Sequence, residues 1–360
     1  MILWIPLIQP FWRFTPNDSD YQPYQDYLRT IKADQGWDVF YNGSTGIPSS
    51  EKVKVAVVDT GVDYTHAELS ANMWKNASNQ YGRDFVNSDN DPNDDHLHGT
   101  MVSGLIAARD NNNTGIAGVA ARNSQIMAIK VADSQGRADI ADLVNGINYA
   151  TSNGAQVINL SIGGTGTQAA VDLAVQTAIA TNITVVIAAG NNGDEVTAQN
   201  AYFPANNGTT SGAIVVGSLA PSNAALSSFS NYSSTYVDIA APGESIAGFP
   251  GINTLKGVYS TIPGNAYDFH AGTSFSAPLV SGSAALVIAY MRSHGMRTLV
   301  TPSVVEAFVT QGSRTVSALN SKVRSGKVLD LDSIADLLSQ PPDHLIVRQP
   351  ASKSVVVGET

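Results

Sequence analysis

The sequence predicts an α/β fold, a mostly parallel central sheet with helices on both faces, and three observations carry that prediction. Short apolar runs rich in β-branched residues recur along the chain, and helical patterns separate them. The composition is 43% hydrophobic and only 14% charged, with 31 glycines in 360 residues. Parallel strands buried on both faces read as near-continuous apolar runs and need crossover helices between them. A chain of this length and composition can bury a large core, so one large domain with appendages is expected.

The strands read as Val53–Asp59, Gln125–Ala132, Gln156–Ser161, Thr184–Ala189, Ala213–Ser218 and Val237–Ala240. Ile140, Leu143, Val144 and Ile147 fall at i, i+3, i+4 and i+7, which predicts an amphipathic helix from about Asp139 to Ser152. Helical patterns also begin at His98 and run over Leu279–Tyr290. After Leu338 the composition changes. Pro341-Pro342 and the strand-like run ending at Thr360 read as a linker and the first strand of a truncated β-sandwich module, residues 339–360; a tail packed on the domain is the alternative.

The net charge of −10 and the absence of any sizeable basic cluster argue against nucleic acid or an anionic membrane as partner, and invite cations instead. There are no cysteines, which removes disulfides, thiol nucleophiles and cysteine-based metal sites. Met1–Ile8 is apolar but lacks the basic flank and small-residue cleavage pattern of a signal peptide, and no run reaches the roughly 20 apolar residues of a membrane span.

In such folds, catalytic groups gather at the carboxyl ends of strands and at helix N-termini. Three loaded segments sit at such places: Val-Val-Asp59-Thr-Gly, Ala-Gly190-Asn191-Asn-Gly and Gly-Thr-Ser274. His98, in His-Gly-Thr, opens a helix. Singly these residues mean little, since a serine before a helix is usually a cap. Together they suit acyl transfer. A serine hydroxyl needs a neutral imidazole to take its proton, a buried carboxylate orients that imidazole, and preplaced donors stabilise the oxyanion.

Asp59-Thr-Gly, His98-Gly-Thr, Ala189-Gly190-Asn191 and Gly272-Thr-Ser274-Phe-Ser-Ala-Pro278, in that order, resemble the four signature segments of the subtilisin-like serine proteases, the subtilases, with the thermitase branch the nearest. The resemblance runs from about Thr15 to Leu286 and implies a serine endopeptidase whose catalytic residues are Asp59, His98 and Ser274, with Asn191 in the oxyanion hole. It implies a three-layer catalytic domain at 15–338, preceded at 1–14 by a propeptide remnant or a segment foreign to the mature protein. It also implies secretion, an inhibitory propeptide, a monomer, and protein or peptide substrates.

Ser161, Ile162, Gly163, Gly164, Ala188, Ala189 and Gly190 resemble the walls of the pocket for the P1 side chain, with Tyr202 at its floor. Gly136 and Ala138 match the edge that pairs with substrate as an added strand.

Oxygen-bearing side chains crowd the loop at Asp84, Asp89, Asp91 and Asn93, a spacing that suits calcium, with a merely solvated acidic loop as the alternative. The resemblance implies a second calcium site from Asp18, Glu68, Asn112, Thr114 and Ile116, where Glu68 replaces the usual aspartate. Two rival readings remain open: a non-catalytic binding or adhesion module on the same scaffold, and a peptide ligase. A metalloenzyme is disfavoured because His96 and His98 lack a His-Glu-x-x-His arrangement.

Overall fold

A computed structural model describes residues 14–42, 46–222, 224–245, 257–340, 346–348 and 354–356. The first strands are β1 (Val53–Asp59), β2 (Gly82–Asp84), β3 (Ser124–Lys130), β4 (Val157–Leu160) and β5 (Gly164–Thr165). They are followed by β6 (Thr184–Ala188), β7 (Tyr202–Phe203), β8 (Ala213–Leu219) and β9 (Ile239–Pro242). A hairpin of β10 (Val258–Ile262) and β11 (Ala266–His270) precedes β12 (Arg314–Thr315) and β13 (Lys327–Val328). Nine of these form the central sheet in the order β12-β13-β9-β8-β6-β4-β1-β3-β2. Its neighbours are all parallel except β12 and β13 at the edge.

The helices are α1 (Tyr21–Tyr24), α2 (Asp26–Thr30), α3 (Ala33–Phe40), α4 (His98–Ala107) and α5 (Ile140–Ser152). After them come α6 (Ala169–Ala180), α7 (Thr273–Ser293), α8 (Pro302–Gln311) and α9 (Leu331–Ser339). Alternation along β1 sorts the layers. Val53, Val55 and Val57 face a core built with α3, α4, α7, α8 and α9, while Ala56 and Val58 face a second core with α5 and α6. Fully burying each such valine contributes about 1.5–3 kcal/mol. Among the described residues α7 is long and apolar enough to cross a membrane, but 94% of its most apolar window is buried within the fold, as befits a core helix.

Most strands end within one or two residues of the sequence reading, and three further differences stand out. The strand read at Val237–Ala240 runs over Ile239–Pro242, and Asp238 before it joins β8 twice, its N–H donating to the Val215 carbonyl and its carboxylate accepting the Val215 N–H, both at 2.8 Å. Helix α7 starts at Thr273, six residues before the apolar pattern, so Ser274 lies inside its first turn. Phe14, assigned to the leading segment, is packed on the domain with its ring 5.7 Å from Trp37 and 5.3 Å from Tyr41.

Residues 1–13 lie outside the described residues, as do 246–256. Of 339–360, the described part beyond α9 and Gln340 is an antiparallel pair, β14 (Ile346–Arg348) and β15 (Ser354–Val356).

Candidate active site

Asp59 is the last residue of β1, His98 the first of α4 and Ser274 the second of α7, and all three line one cleft of about 330 Å³. Asp59 is 2% exposed, and its Oδ1 accepts from His98 Nδ1 at 2.7 Å and from the Thr60 N–H at 2.8 Å. A carboxylate only accepts, so the proton sits on Nδ1 and the Nε2 lone pair is left to act as a base. The Ser274 hydroxyl donates to the Ser161 carbonyl at 3.1 Å. Hydrogen bonds between nucleophile and base commonly tighten only when substrate is bound.

Burial alone would depress the imidazolium of His98, but the charge and hydrogen bond of Asp59, aided by the charge of Asp94, carry its pKa above the ordinary histidine value. A reaction that needs the neutral ring should therefore rise with pH along a limb whose midpoint lies above about 6.5. A kcat/KM profile from pH 5 to 9 checks this, and a midpoint below 6.5 would contradict it. By the same linkage, the ion pair stabilises the fold below about pH 6.5, and that contribution is lost as pH rises through the folded value.

The first turn of α7 explains where Ser274 points. Pro278 lies within the helix and has no N–H, so the Ser274 carbonyl lacks its i+4 donor. Ser161 Oγ donates to that carbonyl instead at 2.7 Å, and Ser161 is pinned in turn by Asn159 Nδ2 at 2.9 Å. Ser281, about two turns further along α7, donates to Asn159 Oδ1 at 2.8 Å. Ser274 and the wall of the cleft are thus bonded to each other in both directions.

Asn191 is exposed at the cleft. Its Oδ1 accepts from the Thr273 N–H and Oγ1, both at 2.9 Å, which leaves Nδ2 with no protein partner among the described residues. The turn before it needs glycine: Gly190 has φ of +101°, and a Cβ there would lie 2.4 Å from Asn231 Nδ2. Gly99 meets a different constraint, since a Cβ there would stand 2.0 Å from the Gly61 carbonyl.

Ser161, Ile162, Gly163, Ala188 and Gly190 line the cleft together with Gly136. Ala138, Gly164 and Ala189 do not. Gly164 is paired with Phe203 in the β5–β7 ribbon, Ala138 bridges Ala132, and Ala189 is buried with its carbonyl taken by Asn231. The Tyr202 ring stands between the walls, where Cβ atoms on Gly163 and Gly190 would meet it at 2.9 and 2.7 Å.

The acidic loop forms hydrogen bonds of its own. Asp84 turns both oxygens onto Asn87, Asp89 accepts the Asp91 N–H, and Asp91 accepts from Tyr64. Among the described residues no three acidic or histidine side chains gather in one cluster, at this loop or elsewhere. Asp84 and Asp89 thus cap N–H groups of the loop's own turns, while Asp91 reaches outside it.

The second set does converge. Asp18 accepts the Asn111 and Asn112 N–H groups at 2.9 and 3.1 Å, while Glu68 accepts from Asn112 Nδ2 and the Tyr267 hydroxyl, both at 2.9 Å. The Ile116 N–H also reaches Glu68, and Thr114 donates its N–H to Asn112 Oδ1. Asp18 and Glu68 are 4% and 0% exposed, with no lysine or arginine paired to either among the described residues. Burial is the main cause that pushes the Glu68 carboxyl up to about 7, and it also raises that of Asp18.

Several supporting residues escaped the sequence reading. Asp94 accepts from Thr60 Oγ1 and from the Thr100 N–H and Oγ1, tying the turn after Asp59 to the first turn of α4. Asn231 accepts the Asn192 and Asp194 N–H groups and so shapes the Asn191 loop. His96 lines the cleft, its Nδ1 accepting the His98 N–H at 3.3 Å. Asp94 lay within the acidic run, where it read as one more loop oxygen. Asn231 carried no local signal.

Comparison with known proteins agrees with this geometry. A family profile described as the subtilase family, peptidase S8, matches residues 50–326. A thermophilic serine proteinase of Bacillus sp. (strain AK1) is 40% identical over 281 residues, covering 78% of this chain and 61% of that protein. Thermitase of Thermoactinomyces vulgaris is 38% identical over 280 residues, covering 78% of this chain and 88% of that protein. Among solved structures, a protease from Pseudoalteromonas arctica PAMC 21717 superposes with a TM-score of 0.72 at 28% identity, covering 91% of this chain and 100% of that one. A cold-adapted subtilisin-like serine proteinase superposes at 0.60, also at 28% identity, covering 77% and 88%. With its family profile, its relatives and its parallel-sheet architecture in agreement, the chain belongs to the subtilase family of subtilisin-like serine peptidases.

Proposed function

We propose that this chain is an endopeptidase that cleaves proteins and peptides through an acyl-enzyme on Ser274. The observation that carries the reading is the Asp59–His98 hydrogen bond of 2.7 Å in the same cleft as Ser274 and the unpartnered Asn191 amide. His98 Nε2 takes the hydroxyl proton as Oγ attacks the peptide carbonyl, and returns it to the leaving amine. Water activated by the same nitrogen then hydrolyses the ester. Asn191 Nδ2 and the Ser274 N–H stabilise the oxyanion, and the α7 dipole favours it further.

Substrate lies along Gly136–Ala138 as an added strand, a mode that reads main chain and gives broad specificity. Tyr202 makes the P1 pocket shallow. We place the enzyme outside the cell, made with an inhibitory propeptide and acting as a monomer, because these properties go with the family.

The test is fluorophosphonate labelling alongside hydrolysis of casein and of a tetrapeptide anilide. Labelling at Ser274 with parallel loss of both activities is expected. A folded protein that is neither labelled nor active would point to a non-catalytic binding module. Within the active enzyme, Asn191→Leu should lower kcat by about 10²–10³, the loss found when subtilisin itself loses its matching amide, with KM little changed. Steady-state kinetics on the anilide would show a raised KM with kcat unchanged if Asn191 only bound substrate.

We propose calcium at Asp18, Glu68 and Asn112 with the Thr114 and Ile116 carbonyls, supported by two buried carboxylates without a basic partner and by the hard-oxygen donor set. Bound calcium would neutralise those charges and tie the chain's N-terminal end to the loop after α4. Saturation at 100 times Kd stabilises by about 2.7 kcal/mol. Thermal unfolding should therefore shift down in EDTA and recover with calcium, and Glu68→Gln should remove most of that difference. An unfolding midpoint indifferent to EDTA would exclude the site.

A further inference from the structure

The last residue of β3 is a lysine with 1% of its side chain exposed, standing in register with Asp59 of β1. An ammonium in such a place is costly unless each of its three protons has an acceptor. Lys130 has three: the Thr60 carbonyl at 2.8 Å, Asp95 Oδ1 at 2.6 Å and the Ala132 carbonyl at 2.9 Å. These acceptors belong to three segments that the proposed chemistry must hold in one geometry. Thr60 follows the carboxylate Asp59. Asp95 lies in the loop before His98, next to Asp94, which holds Thr60 and Thr100. Ala132 opens the turn Asp133–Arg137 that carries Gly136 to the cleft.

We propose that Lys130 is a positioning residue that fixes the Asp59–His98 pair and the substrate-pairing edge relative to each other. The inference rests on the endopeptidase reading above. Backbone bonds alone do not make this link. The Asp59 carbonyl accepts from the Val131 and Ala132 N–H groups, which joins β1 to the substrate edge, but the loop before His98 is joined to that edge through the ammonium. A neutral residue of similar length would leave two carbonyls and a carboxylate without that donor, and the loop would relax toward solvent, where Asp95 is already 50% exposed. Small misplacements of catalytic groups are expensive, roughly 10²-fold in rate for about 1 Å.

The experiment compares wild type, Asp95→Asn and Lys130→Met on two substrates, a tetrapeptide anilide that reaches Gly136 and a blocked single-residue ester that does not. All rates are normalised to active sites titrated with a fluorophosphonate. Asp95→Asn changes an exposed side chain and keeps the buried ammonium, so it tests the idea even if Lys130→Met folds poorly. Per-site kcat should fall roughly 10- to 100-fold on both substrates in both variants. KM for the tetrapeptide alone should rise in Lys130→Met and stay unchanged in Asp95→Asn. A purely structural lysine predicts fewer titratable sites with unaltered per-site kcat and KM, and that result would overturn the proposal. Wild type that fails to titrate would instead overturn the endopeptidase reading itself.

Discussion

Ser274→Ala is expected to lower kcat on casein and peptide anilides by about 10⁶, the loss known from subtilisin when its nucleophile is removed. The fold should survive the change. Among the described residues the Ser274 side chain makes one hydrogen bond, to the Ser161 carbonyl at 3.1 Å, whereas the shorter link from Ser161 Oγ runs to the backbone of residue 274 and is kept. Loss of that single bond costs about 1 kcal/mol. The variant should thus unfold within a few degrees of wild type, bind peptide with a similar affinity, and resist fluorophosphonate. Residual turnover above the uncatalysed rate comes from the oxyanion donors and from binding. Activity in the variant equal to wild type, with identity confirmed by mass, would remove Ser274 from the mechanism.

The sequence was most informative where chemistry coincides with a change of periodicity. Asp59 ends an apolar β-branched run, His98 begins a helical one, and both boundaries fall where expected. Ser274 was harder to place on its element, because Thr-Ser-Phe-Ser-Ala-Pro has no apolar stripe and a proline that argues against helix interior. The helix forms there regardless, since Ser161 supplies the donor that Pro278 cannot. Tertiary contact outweighs local preference at this point.

What stayed hidden was the set of partners. Asp94 to Thr60, Asn231 to Asn192 and Lys130 to Asp95 join residues more than 30 positions apart, and burial periodicity reports which face is covered without naming its hydrogen-bond acceptor. A lysine ending an apolar strand, as Lys130 does, was the available signal, because such a charge must find partners. The acidic loop is ambiguous for the converse reason. Asp84, Asp89 and Asp91 have the right spacing for a cation, but short carboxylates also satisfy nearby N–H groups, as Asp84 and Asp89 do in the described structure. The second set is better served by geometry, since Asp18, Glu68 and Asn112 come from distant segments and no local turn consumes the charge of Glu68.

Asp59→Asn isolates the charge of the buried carboxylate from its shape, and should reduce kcat by about 10⁴, close to what loss of this carboxylate costs subtilisin. Asp59 Oδ1 holds both the His98 Nδ1 proton and the Thr60 N–H, while Oδ2 is buried with no partner among the described residues. An asparagine can keep Oδ1 on Thr60 and leave its NH₂ in the orphaned position, or turn the NH₂ toward His98. The first arrangement withdraws the charge that stabilises the imidazolium. The second forces the proton onto Nε2, where the ring can no longer accept from Ser274. Either one predicts a further, separable sign. The Asp59 charge and hydrogen bond are what lift His98 above its ordinary pKa against the cost of burial, so removing the charge should move the acid limb of kcat/KM to lower pH. A variant that lost activity with its acid limb unmoved would mean that Asp59 acts by holding the loop rather than by its charge on His98.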